Sequence, residues 1–253
     1  MFSVLNIITA VVLAVLGFVL GPLSCKLLNQ IPAKWLCDYD EEPSEELKSG
    51  NRFMLKPHGI VMGAVLAVLL GVTPFFFGVS FELPIVVLLY VILMLISASD
   101  AKYTIIPDQF TVAAAITAVI FAVVDLFTDQ YFIKVWYDPL IGALCGSLLL
   151  IVLDILSTLI FKREGFGFGD IKLLAALGLM FGWKYTIVLL VLSFLVAAVH
   201  FLILIFSGKA RKGIYLPMGP YICLATALTI VLQPQLEKIF GLYKLLMNMD
   251  YLP

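Results

Sequence analysis

Charged residues are scarce in this sequence. Its 253 residues include 16 Lys and Arg and 17 Asp and Glu, so 13% of the chain is charged and the formal net charge is -1. A typical soluble domain is about one quarter charged. Hydrophobic residues make up 62% of the chain and the mean hydropathy is +1.10, which leaves too few charges for a water-soluble surface. The composition excludes soluble, disordered and fibrous proteins, and the net charge gives no electrostatic basis for binding nucleic acid.

Closely spaced cysteines are also absent. Cys25, Cys37, Cys145 and Cys223 lie far apart and form no C-x-x-C pair. This spacing excludes a disulfide-rich secreted framework and does not support a zinc site, so we expect no bound metal. The N-terminal segment lacks the basic region that opens a signal peptide, and we therefore expect it to be retained as a first membrane span.

Long runs without charge dominate the chain. Residues 1–25, 57–81, 185–208 and 213–236 are four such runs, and each is long enough for a helix that crosses a bilayer. We predict an all-α, polytopic helical membrane protein with a single membrane domain over residues 1–253. About eight apolar segments are expected, of which the sixth is short for a full crossing: 4–23, 59–79, 82–99, 110–128, 139–161, 171–182, 185–206 and 217–234.

Lys and Arg are unevenly distributed over the connections between these segments. Only Lys134, Lys184, Lys238 and Lys244 fall on one side, and all the other Lys and Arg fall on the opposite side. Cytoplasmic connections are the ones enriched in Lys and Arg. Both termini are therefore predicted to lie outside, and the loop 24–58 between the first two spans is predicted to be cytoplasmic. We interpret its acidic stretch as a solvated linker with a short helix.

Two acidic residues lie beside predicted spans at the same cytoplasmic depth. Asp100 ends the third span, and Asp170 opens the sixth. Acidic side chains are costly in a bilayer, which makes each a candidate for function. Two close carboxylates can share a proton, and such a pair activates water against an amide. One carboxylate then takes a proton while the other polarises the carbonyl group.

Three glycines alternate with other residues just before Asp170. Gly165, Gly167 and Gly169 lack a Cβ atom, so a bound peptide can approach this backbone closely. The same stretch is also typical of a flexible loop that Asp170 caps at a helix start. The second carboxylate at matching depth favours a binding site.

Three motifs resemble those of the bacterial type IV prepilin peptidases, which are membrane aspartic proteases with a G-x-G-D motif. Asp100 is followed by Ile106-Pro107-Asp108, similar to the family's pattern of an Asp, a spacer and I/L-P-D. The stretch from Glu164 to Asp170 reads E-G-F-G-F-G-D and continues into K-L-L-A-A, which resembles the family's extended glycine motif. Met-Gly-Pro at 218–220 is similar to the family's F-G-P.

The resemblance implies an aspartic endopeptidase that removes the leader peptide from prepilin-like or pseudopilin substrates. It would work at the cytoplasmic face of the bacterial cytoplasmic (inner) membrane, in contact with lipid. Asp100 and Asp170 would be its catalytic pair, and cleavage would need no cofactor. Asp108 follows a proline at a span start, where we expect an N-cap. The residues expected to support the motifs or bind substrate are Gly165, Gly167, Gly169, Pro107, Asp108 and Lys172.

The sequence departs from the family pattern at two points. Many members carry paired C-x-x-C motifs in the first cytoplasmic loop, where they bind zinc, whereas this loop has only Cys25 and Cys37. Many members also methylate the new N-terminus with S-adenosylmethionine, an activity associated with the N-terminal region. Residues 17–32 match the family's signature there only loosely, so methylation is an additional activity that the resemblance allows.

A proton- or ion-coupled transporter is the alternative from another class. Asp100, Asp154 and Asp170 would then form an ion path, and the short sixth segment would be a broken helix. The sequence shows no inverted repeat and no chain of acids across the membrane. A presenilin-like protease also shares G-x-G-D, but K-L-L-A-A and I-P-D favour the prepilin group. For Asp154, in the fifth span, we favour a structural hydrogen bond to a neighbouring helix.

Overall fold

The computed structural model describes residues 3–37, 42–128, 130–162, 165–209 and 216–246. These residues form helices joined by short connections, and no strand occurs among them, so the predicted all-α class is confirmed. In chain order the helices are α1 (Val4–Gln30), α2 (Glu45–Lys48), α3 (Ile60–Phe76), α4 (Leu83–Tyr103), α5 (Asp108–Phe127), α6 (Asp138–Phe161), α7 (Phe168–Phe206), α8 (Gly219–Val231) and α9 (Gln233–Leu246). A 3-10 turn, Ala33–Leu36, precedes α2, and a short helical turn, Leu55–Gly59, leads into α3.

Six of the described helices are long and apolar enough to cross a membrane. They are α1, α3 with its preceding turn, α4, α5, α6 and α7. Helices α8 and α9 are bent by 72° relative to each other and add a seventh span if they are counted as one. A bilayer core is about 30 Å thick and needs about 20 helical residues. The protein is therefore a polytopic membrane protein, as predicted.

Helix α7 reverses direction at Gly182, where φ is 64° and ψ is 177°. A Cβ built on Gly146 of α6 would lie 3.0 Å from both the carbonyl oxygen of Leu174 and Cγ2 of Thr186. In a straight helix those two residues would be about 18 Å apart. The two parts of α7 therefore run antiparallel to each other, and both pack against α6. They correspond to the predicted sixth and seventh segments. Glycine suits this turn because side-chain-bearing residues rarely adopt a positive φ.

Helices α1 and α3 pack antiparallel through glycines. A Cβ on Gly21 would lie 2.0 Å from the backbone nitrogen of Gly63, and a Cβ on Gly17 would lie 2.6 Å from the carbonyl carbon of Leu66. Small residues allow such close approach between helices in a membrane. Helix α1 continues to Gln30 instead of ending near residue 23, so the predicted first span is extended into the loop that follows it.

Candidate active site

A cavity of about 540 Å³ lies where α4 ends and α7 begins. Its walls also include the connection between α4 and α5 and the 3-10 turn Ala33–Leu36. The predicted site residues that line it are Asp100, Pro107, Asp108, Gly167, Gly169, Asp170 and Lys172. Gly165 is not among its lining residues. Most of the predicted site residues thus line one cavity, although they come from two separate stretches of the chain.

Asp100 lies on the buried face of α4, one turn after the fully buried Ile96. Only 5% of Asp100 is exposed, and its Oδ2 accepts a hydrogen bond of 2.8 Å from the backbone N–H of Gly219, the first residue of α8. A Cβ on Gly219 would lie 2.6 Å from the same Oδ2 atom. Only glycine leaves this space free, so Gly219 permits the contact that fixes the Asp100 carboxylate.

Asp170 lies in the first turn of α7, one turn before the buried residues Leu173 and Leu174. Its Oδ2 accepts a hydrogen bond of 3.2 Å from the backbone N–H of Gly167, so Asp170 also caps the helix start. Its Oδ1 is buried and has no hydrogen-bond partner. A buried carboxylate oxygen without a partner is costly to the protein, which makes Oδ1 of Asp170 a candidate for a catalytic role.

The two aspartates face the same cavity from different helices. Each is 5% exposed, and their charges interact across the cavity. Helix α8 lies beside Asp100, since its first residue, Gly219, donates its backbone N–H to this carboxylate. This is the arrangement that two carboxylates need if they are to share a proton and act on one water.

The segment Ile106-Pro107-Asp108 lies against the glycine motif. A Cβ on Gly169 would lie 3.0 Å from Cβ of Ile106, so a larger residue at 169 would force the two segments apart. Asp108 Oδ1 is 2.7 Å from Lys172 Nζ, and this ion pair ties the start of α5 to the first turns of α7. The two motifs are therefore in direct contact.

The predicted N-cap role of Asp108 is wrong. Pro107 occupies the N-cap position, Asp108 is the first residue of α5, and no side chain caps the helix. The proline ring fixes the extended backbone before the helix. The Asp108 carboxylate is then directed to Lys172.

Asp108→Asn should have a mild effect on activity. The side chains of Asp108 and Lys172, which form the ion pair, are 38% and 33% exposed. Exposed pairs are worth about 0.2–1 kcal/mol, so kcat/KM for any reaction in this cavity should fall less than about fivefold. Lys172→Met should cost a similar amount, and the double variant little more than either single one. A loss of a hundredfold or more in Asp108→Asn, with normal folding, would contradict this role.

The loop after α1 is anchored beside the cavity. Arg52 is only 5% exposed. Its guanidinium donates to three backbone carbonyls, those of Leu28, Ile31 and Leu47. Lys102 of α4 donates to the carbonyl of Arg52 and lies 2.8 Å from Glu46. These contacts hold the 3-10 turn in place, so Lys34 and Trp35 line the cavity. Sequence reasoning missed all of these residues, because an anchored loop and a solvated one have the same composition.

Asp154 contacts the glycine stretch. Its Oδ1 accepts hydrogen bonds from the backbone N–H groups of Gly165, at 2.8 Å, and Phe166, at 3.0 Å. The predicted bond to a neighbouring helix is therefore wrong, and the partner is the connection between α6 and α7. Asp154 does not line the cavity that holds Asp100 and Asp170.

Residues of the types that bind metal ions are not clustered in the part of the chain that the structure describes. None of them forms a group of three or more His, Cys, Asp or Glu side chains placed to hold a metal ion. Asp108 lines the same cavity as Asp100 and Asp170, but these three carboxylates are not placed to hold a metal ion together.

The comparisons with known proteins agree with the motifs. Residues 87–202 match the model of the type IV leader peptidase family. A protein of Pseudomonas aeruginosa named prepilin leader peptidase/N-methyltransferase is 30% identical over 174 residues, which cover 69% of this chain and 58% of that protein. A protein with the same name from Stutzerimonas stutzeri is 32% identical over 61% of this chain and 52% of its own length. Another, from Xanthomonas campestris, is 27% identical over 71% of this chain and 61% of its own length.

The aligned region spans a little over half of the length of these curated relatives. No solved structure matches the chain. The matched region of the family model contains both aspartates, the Ile-Pro-Asp segment and the whole glycine motif. The resemblance inferred from these motifs is confirmed: residues 87–202 of this chain match the type IV leader peptidase family.

Proposed function

We propose that this protein is an aspartic endopeptidase of the bacterial cytoplasmic membrane that removes the leader peptide from prepilin-like or pseudopilin proteins. One observation carries the proposal: two buried aspartates face a single cavity, and one of them has a buried oxygen without a partner. The names of the curated relatives support the substrate class. The transporter hypothesis gains no support, because Asp154 lies outside this cavity and is bonded to backbone N–H groups.

Asp170 is the base in this proposal, and Asp100 is the acid. Oδ1 of Asp170 takes a proton from a water molecule as the water oxygen adds to the peptide carbonyl carbon. Protonated Asp100 gives its proton to the carbonyl oxygen, which forms a tetrahedral diol. Asp170 then passes its proton to the leaving nitrogen, the C–N bond breaks, and Asp100 recovers its proton from the diol. Both carboxyl groups end as they began, so the cycle needs no other reactant than water.

An apolar groove adjoins the cavity and offers a place for the apolar segment of the substrate. The groove has a volume of about 420 Å³ and runs between α5, α6 and α7. Asp108 and Lys172 line both the groove and the cavity, so the two spaces meet at this ion pair. Beyond the pair, the groove walls are mainly small or apolar residues: Thr111, Val112, Ala115, Ala143, Ala175, Ala176 and Leu179. A membrane-embedded helix can pack closely against small side chains.

Filling the groove should therefore weaken substrate binding. We expect Ala115→Phe to raise KM for a membrane-embedded substrate by about tenfold, the cost of losing one well-packed apolar contact, with kcat little changed. Ile116→Phe is the matched control, because Ile116 is the next residue of α5 after Ala115. Its side chain is 57% exposed and does not line the groove. Equal KM values for Ala115→Phe, Ile116→Phe and the unmodified protein would show that the substrate lies elsewhere.

The relatives' names also include N-methyltransferase. We propose that the same protein can methylate the new N-terminus, with S-adenosylmethionine as the methyl donor. The cavity lining fits such a ligand in type: the Trp35 ring offers an aromatic face for the adenine, and Lys34 offers a cation for the carboxylate. When bound, S-adenosylmethionine would supply the methyl group.

The test of the proposed function is incubation of the purified full chain with a peptide that has a prepilin leader followed by an apolar segment. Mass spectrometry should show one cut between leader and apolar segment, and added S-adenosylmethionine should add a methyl group to the new N-terminus. No cleavage by folded protein in detergent or lipid would refute the peptidase. Cleavage without a methylated product would refute the second activity alone.

Cleavage should also survive removal of metal ions. The proposed reaction uses two carboxylates and water, and the loop cysteines form no C-x-x-C pair. Treatment with a strong zinc chelator should leave kcat within error of the untreated value. Loss of cleavage that returns when zinc is added would show that a metal ion is required.

A further inference from the structure

Asp154 is an intramembrane carboxylate that the proposed chemistry does not use. It lies on α6 seven residues before the helix ends at Phe161, which is about 10 Å along the axis. A polar side chain at this depth is costly unless its partners compensate it. Its partners are two consecutive backbone N–H groups, those of Gly165 and Phe166.

These hydrogen bonds hold the backbone of Gly165 and Phe166 alongside α6. A Cβ on Gly165 would lie 2.7 Å from Oγ of Ser157, one turn before the end of α6. The absence of a side chain at residue 165 is what lets the backbone come this close. The Phe166 ring packs against Phe194 of α7, with ring centroids 5.8 Å apart. The glycine stretch is thus held between two helices.

The next N–H group along the chain belongs to Gly167, and it donates to Oδ2 of Asp170. Three consecutive N–H groups are therefore directed to two carboxylates, the first two to Asp154 and the third to Asp170. The direction of the third N–H group depends on where the first two are fixed. Since Gly167 holds Oδ2, it also determines where the unpartnered Oδ1 of Asp170 is directed.

We propose that Asp154 is a positioning residue for Asp170, which it orients through the backbone of residues 165–167. Its oxygen accepts two N–H groups, fixes the glycine stretch and so holds the Asp170 carboxylate in the geometry for attack on the substrate. The proposal rests on the proposed peptidase function for its kinetic consequence, while the placement of the backbone can be measured without activity. The acceptor atom matters in this role, and the negative charge does not.

The test compares Asp154→Ala with Asp154→Asn. An Asn side chain keeps an oxygen that can accept both N–H groups, so this variant should cleave at nearly the normal rate. Asp154→Ala should lower kcat about tenfold to a hundredfold, as expected for a small displacement of a reacting group, with KM little changed. Ser147→Ala is the matched control on α6, because its hydroxyl bonds only within that helix.

Hydrogen exchange gives a readout that does not depend on catalysis. The amides of Gly165 and Phe166 should exchange faster in Asp154→Ala than in the unmodified protein, and at the normal rate in Asp154→Asn. If Asp154→Ala is not recovered folded, Asp154→Ser replaces it, since its hydroxyl is one atom too short to reach both N–H groups.

Three results would overturn the proposal: normal kcat in Asp154→Ala, equal losses in Asp154→Asn and Asp154→Ala, or unchanged exchange in both. Equal losses would mean that the charge itself is needed. If the unmodified protein fails to cleave, the peptidase function is wrong, and the exchange rates alone still decide whether Asp154 fixes the backbone.

Discussion

Asp100→Asn and Asp170→Asn should each lower kcat for leader cleavage by about 10⁴-fold or more, because members of a catalytic unit lose most of the rate when any one is removed. Asn has nearly the same shape as Asp, so both variants should fold and insert in the membrane. An Asn at 170 cannot take a proton from water, and an Asn at 100 cannot give one to the carbonyl oxygen. Mass spectrometry of product formed per hour at saturating peptide measures both losses.

Asp108→Asn is the matched control for these two variants. Asp108 is a third carboxylate in the lining of the same cavity, but its partner is Lys172. The same substitution in the same cavity should therefore leave most of the activity. Near-normal turnover in Asp100→Asn or Asp170→Asn would remove that residue from the catalytic pair. A loss in Asp108→Asn as deep as theirs would show that the assay reports general damage to the cavity.

Gly219→Ala should also lower kcat for leader cleavage strongly, by about 10²-fold. A loss of this size is expected when a catalytic group is slightly displaced. The added Cβ would lie 2.6 Å from Oδ2 of Asp100, closer than such atoms come in proteins. Asp100 must then move away, and it loses the N–H group of Gly219 as a hydrogen-bond donor. The measurement is kcat and KM with the same peptide, together with a thermal unfolding curve.

Gly241→Ala is the control for that substitution. Gly241 lies in α9, and a Cβ there would meet no atom within 4 Å. Alanine is also a better helix former than glycine, so this variant should be as stable as the unmodified protein or slightly more stable. If Gly219→Ala retains normal kcat, the contact between α8 and Asp100 does not position the carboxylate.

The membrane fold follows closely from the sequence. In a bilayer every backbone polar group must be bonded internally, so a charge-free run of about 20 residues has few alternatives to a helix. The runs before Gly182 and after it are both apolar, and their division into two segments also follows from the sequence. That they reverse against α6, with Gly146 between Leu174 and Thr186, depends on packing between distant residues.

The two aspartates were predictable as candidates because ionisable residues near membrane spans are rare and costly. Their surroundings were less predictable. The contact of Gly219 with Asp100 joins residues 119 positions apart, and that of Lys172 with Asp108 joins residues 64 apart. Local rules predicted that Asp108 caps its own helix, whereas its ion pair is with the distant Lys172.

The hydrogen-bond partner of Asp154 was also not predicted correctly from the sequence. The type and depth of this residue indicated a polar partner, and the sequence favoured a neighbouring helix. The partner is backbone that the glycines allow to approach, and a glycine pattern alone does not reveal which side chain accepts its N–H groups. Tertiary contacts of backbone atoms leave no signature in residue type.

The most direct test of the catalytic pair is the binding of a peptide analogue in which a hydroxyl-bearing carbon replaces the scissile carbonyl. Such a group imitates the tetrahedral diol and contacts both carboxylates at once. Transition-state analogues bind at least about 10²-fold more tightly than substrates. We predict this excess affinity for the unmodified protein and its loss, to a similar extent, in Asp100→Asn, Asp170→Asn and the double variant. Equal affinity of the analogue for the unmodified protein and the double variant would contradict the account.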